Sequence, residues 1–204
     1  MEQRTQEWFE ARSGKVTASK FSAVLTNARS KVGLSKTAES YMHQIIAELM
    51  TGQSDSYSNE YMEWGTEQEP SAIEAYELHN MQEVIPVGFI KHPKIELVGG
   101  SSDGFVGEDG IIEVKCPKTT THFLNYMNNP QSRKYMPQIQ GNLWVADRKW
   151  CDYVSYDPRI IDVSRQLYIQ KIARDDNYIK ILEEKVLEFL KIYKQKLKEL
   201  NINL

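Results

Sequence analysis

Cysteine is scarce in this chain. Among 204 residues only Cys116 and Cys151 carry thiols. Two thiols fall short of the four ligands of a structural zinc site or an iron–sulfur cluster. So low a count fits a reducing compartment, and the cytoplasm is the expected one. Long apolar runs are missing as well. Nothing approaches the roughly 20 residues that cross a bilayer, so no membrane partner is expected. The opening stretch MEQRTQEWFEAR lacks the apolar core of a secretory signal. Repeats and linker-like tracts are absent, and residues 1–204 read as one domain large enough for a proper core. An excess of positive charge is also lacking. The net charge of -3 excludes a protein that coats nucleic acid by bulk attraction.

The charge that is present is unevenly spread. Residues 54–83 hold eight acids and no Lys or Arg, whereas residues 115–149 hold six bases against one acid, Asp147. Residues 1–36 hold seven bases against three acids. Local positive tracks of this kind suffice to guide a DNA backbone. They equally fit solvated helix faces.

Helices are expected over residues 5–12, 35–51 and 60–79, the last with a kink or restart at Pro70. Val16–Ser19 reads as the opening of a further helix. Residues 52–58 read as a polar loop. Strands are expected at 83–91, 95–106 and 111–115, then a short helix from Thr119 to about Asn128 and a loop over 130–134. A helix opened by Pro137 should end near Ala146. Strands at 150–156 and 166–172 and a helix over 175–200 complete the chain. The last has apolar residues at 179, 182, 186, 189, 193, 197 and 200.

The most telling segment is GGSSDGFVGEDGIIEVKCP, residues 99–117. Asp103 precedes Glu113 by ten residues, Lys115 follows it by two, and Asp109-Gly110 reads as the tight turn between. Alternation along a strand puts Glu113 and Lys115 on one face, and the hairpin folds Asp103 back beside Glu113. Two carboxylates about 4 Å apart repel by about 4 kcal/mol at an effective dielectric near 20. Mg²⁺, with Mn²⁺ as a substitute, would offset that repulsion through hard oxygen ligands, the Val114 carbonyl among them. Such an ion assists attack of water on a phosphodiester, and Lys115 would stabilise the charge that builds there. Glu69, in WGTEQEP, can reach the same ion from the preceding helix. Gln138 and Gln140, in YMPQIQGNLW, can hydrogen-bond water or phosphate. Taken singly, the same residues also fit an exposed Glu–Lys pair, a turn aspartate, a solvated helix acid and two surface amides.

Five blocks in order resemble a known family: WFEARSGKVTAS (8–19), MEWGTEQEPSAIEAYE (62–77), residues 99–117, YMPQIQGNLWVADRKWCDYVSYDPR (135–159) and the terminal helix. The chain resembles the YqaJ and lambda exonuclease type of viral recombination nuclease, within the PD-(D/E)xK superfamily. The resemblance implies an α/β (mixed α+β) fold with a restriction-endonuclease-like core: a central mixed β-sheet flanked by helices, and a long C-terminal helix. It implies Asp103, Glu113 and Glu69 near the metal, Lys115 as the catalytic lysine, and Gln138 as the motif glutamine with Tyr135 beside it. It implies that Arg12, Thr17, Ser19, Ser101 and Tyr135 receive a 5′-phosphate or DNA. The implied activity is Mg²⁺-dependent 5′-to-3′ digestion of double-stranded DNA ends, leaving 3′ overhangs. The implied partners are two further copies in a homotrimeric ring and a single-strand annealing protein, in a phage- or prophage-encoded system. An endonuclease, a RecB-like module and a silent DNA-end-binding protein are the alternatives. One departure is Ser102, where the family often has proline. Residues 52–59 correspond to the region where relatives splay the duplex.

Overall fold

Strand β6 (Gly110–Lys115) is the axis of the fold in the computed structural model, which describes residues 1–27, 33–53, 60–127 and 129–202. It pairs antiparallel with β5 (Gly104–Val106) and parallel with β7 (Trp150–Tyr156). Outside these lie β2 (Val84–Ile85), on β5, and β8 (Leu167–Ala173), on β7, giving the order β2-β5-β6-β7-β8. A second, three-stranded sheet joins β1 (Val16–Thr17), β4 (Val98–Gly100) and β3 (Ile90–Lys91).

Alternating side chains along β6 divide the interior. Ile112 and Val114 pack with Ala72 and Tyr76 of α4 (Glu60–Asn80). Ile111 faces the other way, onto Ile139 and Leu143 of α6 (Met136–Ala146). Glu113 and Lys115 share that second face. Tyr76 also donates to Asp152 of β7 at 2.7 Å, fastening α4 seven residues beyond Glu69.

The largest core cluster lies between α2 (Phe21–Val24), α3 (Lys36–Thr51), α6 and α7 (Asp176–Glu199). Ile179, Leu182, Val186, Phe189, Tyr193 and Leu197 are buried as the spacing predicts, each worth about 1.5–3 kcal/mol of apolar transfer. Leu200 falls just past the helix and is exposed. Tyr41 of α3 stacks on Phe189, and the Tyr193 hydroxyl donates to the Gly14 carbonyl at 3.1 Å. Among the described residues, side chains cap the starts of three α-helices. Thr5 caps α1 (Gln6–Arg12), Ser35 caps α3 and Asp175 caps α7.

Several expectations are corrected. Val16-Thr17 is a strand, followed by a single 3₁₀ turn over Ala18–Lys20 and then α2. Residues 83–91 and 95–106 each split into two strands that belong to different sheets. The helix at 60–80 continues through Pro70 and does not restart there. Lys118, rather than a threonine, precedes α5 (Thr119–Leu124), and a 3₁₀ turn continues that helix over Asn125–Met127. Residues 131–135 form another such turn. The expected loop over 52–58 and the duplex-splaying region lie outside the described residues from 54 onward, as does Asn128.

Candidate active site

The β5–β6 hairpin delivers Asp103. Its loop is turned by Gly107, whose φ of 55° lies in the left-handed region, so Asp109-Gly110 is not the turn. Gly110 instead starts β6 and stays small because a Cβ there would lie 2.3 Å from the Trp150 ring. Asp103 stands just before β5. Its N–H donates to the Ile112 carbonyl at 3.1 Å, and its carboxylate accepts the Val114 N–H at 2.6 Å. The side chain thus extends the ladder by one rung and is pinned beside Glu113.

Glu113 is fully buried and bonded on both oxygens. Oε1 accepts from Lys115 and from Gln138 (2.6 Å), and Oε2 accepts from Asn142 at 3.3 Å. Lys115 also donates to the Val114 carbonyl at 3.1 Å and lies 5.1 Å from the Tyr135 ring centre. Tyr135 stacks on Tyr153. Burial and the neighbouring Glu113 carboxylate push Asp103 up to about 8. Burial alone would lower Lys115, but Glu113 and Asp103 outweigh it and hold the ammonium above its usual range.

The donor set suits a hard divalent cation. Asp103, Glu113 and the Val114 carbonyl present oxygen only, and burial beside the Glu113 carboxylate raises Asp103, a cost that a cation would offset. Glu69 belongs to this neighbourhood because its charge also raises Asp103. Its carboxylate is held by Arg4 at 2.5 Å. Among the described residues no three His, Cys, Asp or Glu side chains are already gathered as a cage.

Beside α1 lies a cavity of about 670 Å³, lined by Trp8, Arg12, Thr17, Lys20, Tyr41 and Glu48 among others. Arg12 lies 4.1 Å over the Trp8 ring. Burial lowers its pKa, against the smaller pull of Tyr41 and Glu48. Among the described residues, its guanidinium has no hydrogen bond or ion pair. Thr17 and Ser19 bring their hydroxyls within 3.3 Å of each other. Ser101 accepts from Trp8 Nε1 at 3.0 Å through its hydroxyl and from Asn142 at 3.4 Å through its carbonyl.

The structure therefore brings Asp103, Glu113, Lys115, Gln138 and Tyr135 into one cluster; Arg12 and Thr17 line the cavity, while Ser19 and Ser101 adjoin it through Thr17 and Trp8. Gln140 joins neither. It is buried, donates to Ala173 and accepts from Asp175, tying α6 to the start of α7. Sequence reasoning missed Asn142, Trp8 and Arg4. Asn142 had a signal: it follows Gln138 by four residues and shares its helix face. Trp8 and Arg4 act through contacts with residues distant in the chain.

Residues 7–149 match the YqaJ-like viral recombinase domain. The alkaline exonuclease LHK-Exo from Laribacter hongkongensis is 38% identical, with a TM-score of 0.87 over 97% of this chain and 96% of that one. LHK-Exo in complex with dAMP gives 39% identity and a TM-score of 0.88 over 96% of each chain. A phage-related exonuclease from Haemophilus somnus 129PT shares the fold, with 22% identity and a TM-score of 0.75 over 91% of this chain and 96% of that one. No curated protein sequence matches. The mixed sheets flanked by helices and the long terminal helix are those of the alkaline exonuclease fold, and the chain belongs to the YqaJ-like viral recombinase domain family.

Proposed function

We propose that this chain is a Mg²⁺-dependent exonuclease, with Mn²⁺ as a substitute ion, that digests one strand of double-stranded DNA from its 5′ end and leaves 3′ overhangs. The observation that carries the reading is the Asp103–Glu113–Lys115 cluster standing two residues from Ser101, which is itself bonded to the Trp8 that underlies Arg12. A hydrolytic centre and an anion socket are thereby coupled. That coupling suits an enzyme that works from a phosphorylated end.

Asp103, Glu113 and the Val114 carbonyl would hold the ion, with Glu69 within electrostatic reach. When bound, the ion supplies Lewis acidity at a phosphoryl oxygen and makes hydroxide easier to form. The remaining work falls to side chains. Lys115 presents a fixed ammonium to the charge that accumulates on the phosphoryl oxygens. Gln138 and Asn142 hold the two oxygens of Glu113 in place. Arg12 offers a planar fork to a phosphate monoester, with Thr17, Ser19 and Ser101 as hydroxyl partners. A monoester bound there sets the adjacent phosphodiester toward Asp103. Release of a nucleoside monophosphate agrees with the dAMP that accompanies LHK-Exo.

Family resemblance supports a homotrimeric ring around the duplex and a phage-type single-strand annealing protein as partner, acting in the cytoplasm of a bacterial host. No described helix is long and apolar enough to cross a membrane.

The test is a time course on linear duplex DNA labelled separately at each end, with and without 5′-phosphate, in Mg²⁺ or EDTA. The expected result is Mg²⁺-dependent release of mononucleotides from the phosphorylated 5′ strand. Cutting of closed circles, loss from 3′ ends first, or undiminished digestion in EDTA would overturn the reading.

A further inference from the structure

We propose that Arg4 is an internal counter-cation for Glu69, competing with the divalent ion for that carboxylate and so setting how tightly the site takes up its metal. The inference rests on the reading of Glu69 as part of the metal site.

The pairing is built into the fold. Arg4 Nη2 stands 2.5 Å from Glu69 Oε2, and the two side chains are 47% and 22% exposed. The residues on either side of Arg4 are fixed independently. Gln3 donates through one amide nitrogen to the Val87 carbonyl at 2.7 Å and to the Ser102 carbonyl at 2.8 Å. Ser102 is the residue before Asp103, so the strap is tied to the catalytic segment itself. Thr5 caps α1 by accepting the Trp8 N–H at 3.3 Å. Between these anchors Arg4 adopts a φ of 67°, a left-handed conformation that a residue with a Cβ rarely takes. Its neighbours hold it there, and the outcome is a guanidinium delivered to Glu69.

The Glu69 carboxylate is already engaged by the guanidinium. Only displacement frees it. A divalent ion beside Asp103 and Glu113 offers two charges where Arg4 offers one. Removing Arg4 therefore has a definite sign. If Arg4 competes with the ion, its loss tightens metal binding. If Arg4 merely orients Glu69 toward the ion, its loss weakens binding.

The experiment is isothermal titration calorimetry with Mn²⁺ alone, without DNA, on the full chain. Arg4→Gly removes the cation and suits the left-handed backbone. Arg4→Lys retains the charge. Arg4→Gly should bind Mn²⁺ about two- to fivefold more tightly, the factor a partly exposed ion pair is worth. Arg4→Lys should stay near the parent, and Arg4→Gly should change nothing when introduced beside Glu69→Gln. Unchanged or weaker binding by Arg4→Gly, with normal uptake by the parent chain, would overturn the inference and leave the metal reading intact. A parent chain that takes up no Mn²⁺ would overturn both.

Discussion

The acid–lysine cluster on β6 and the arginine socket beside α1 stand on either side of Ser101, yet they satisfy their charges in opposite ways. Glu113 is sealed from solvent and receives Lys115, Gln138 and Asn142, while Asp103 is bonded to the backbone of Val114. Arg12 is held by stacking on Trp8 and has its guanidinium donors unspent among the described residues. The first arrangement keeps its shape without a ligand, as electrostatic preorganisation requires. The second leaves its guanidinium donors open toward the cavity beside α1. Asn142 joins the two, bonding Glu113 at 3.3 Å and the Ser101 carbonyl at 3.4 Å.

That contrast can be broken or sharpened by substitution. The largest effect is expected from Lys115→Ala, which should slow single-turnover cleavage about a thousandfold. Binding to linear DNA should change little, because Glu113 keeps Gln138 and Asn142. Near-parental turnover would remove the catalytic assignment. Arg12→Ala should leave digestion of 5′-hydroxyl ends nearly intact while shrinking the rate advantage of 5′-phosphorylated ends by about ten- to a hundredfold, the worth of charge-assisted hydrogen bonds. A preserved advantage would show that Arg12 does not read the phosphate. Asn142→Ala should lower both the cleavage rate and the phosphate preference, each by about three- to tenfold. If only one property falls, the two regions are not mechanically joined through this amide.

The smallest effect belongs to a polar group outside both regions. Asp157 is buried and accepts from Arg159 and Thr119. Burial alone would raise its pKa, but these bonds win and lower it. Its contribution to stability is therefore present above the ordinary carboxylate value and is lost as pH falls through the depressed one. Arg159→Gln should reduce the urea midpoint at pH 7 by the equivalent of about 1 kcal/mol, with a smaller difference in strong acid. A difference that grows on acidification would contradict the sign.

The parts of this fold legible in the sequence were those whose geometry is local. Strand β7 matches its expected bounds because a run of aromatic and β-branched residues ends at Asp157-Pro158, and α7 follows its apolar stripe. Asp103, Glu113 and Lys115 were legible for the same reason: one hairpin sets all three. What periodicity cannot register is which sheet a strand joins. Residues 95–106 look continuous, yet Ser101–Asp103 leaves the small sheet after β4 and enters the large one at β5. That crossing puts Asp103 where the site needs it. Pro70 does not end the helix because it removes only one backbone donor, while Ala72 and Tyr76 remain packed against β6. Arg4 and Trp8 were illegible because their partners, Glu69 and Ser101, are brought to them by tertiary structure alone.

The bond from Tyr193 to Gly14 has a consequence for biosynthesis. The turn that leaves the Arg12 helix is closed by a residue 179 positions downstream, and Tyr41 in the socket wall rests on Phe189. A ribosome must therefore have delivered most of α7 before the turn after the first helix is closed, and a nascent chain without it lacks a finished wall for the Arg12 cavity.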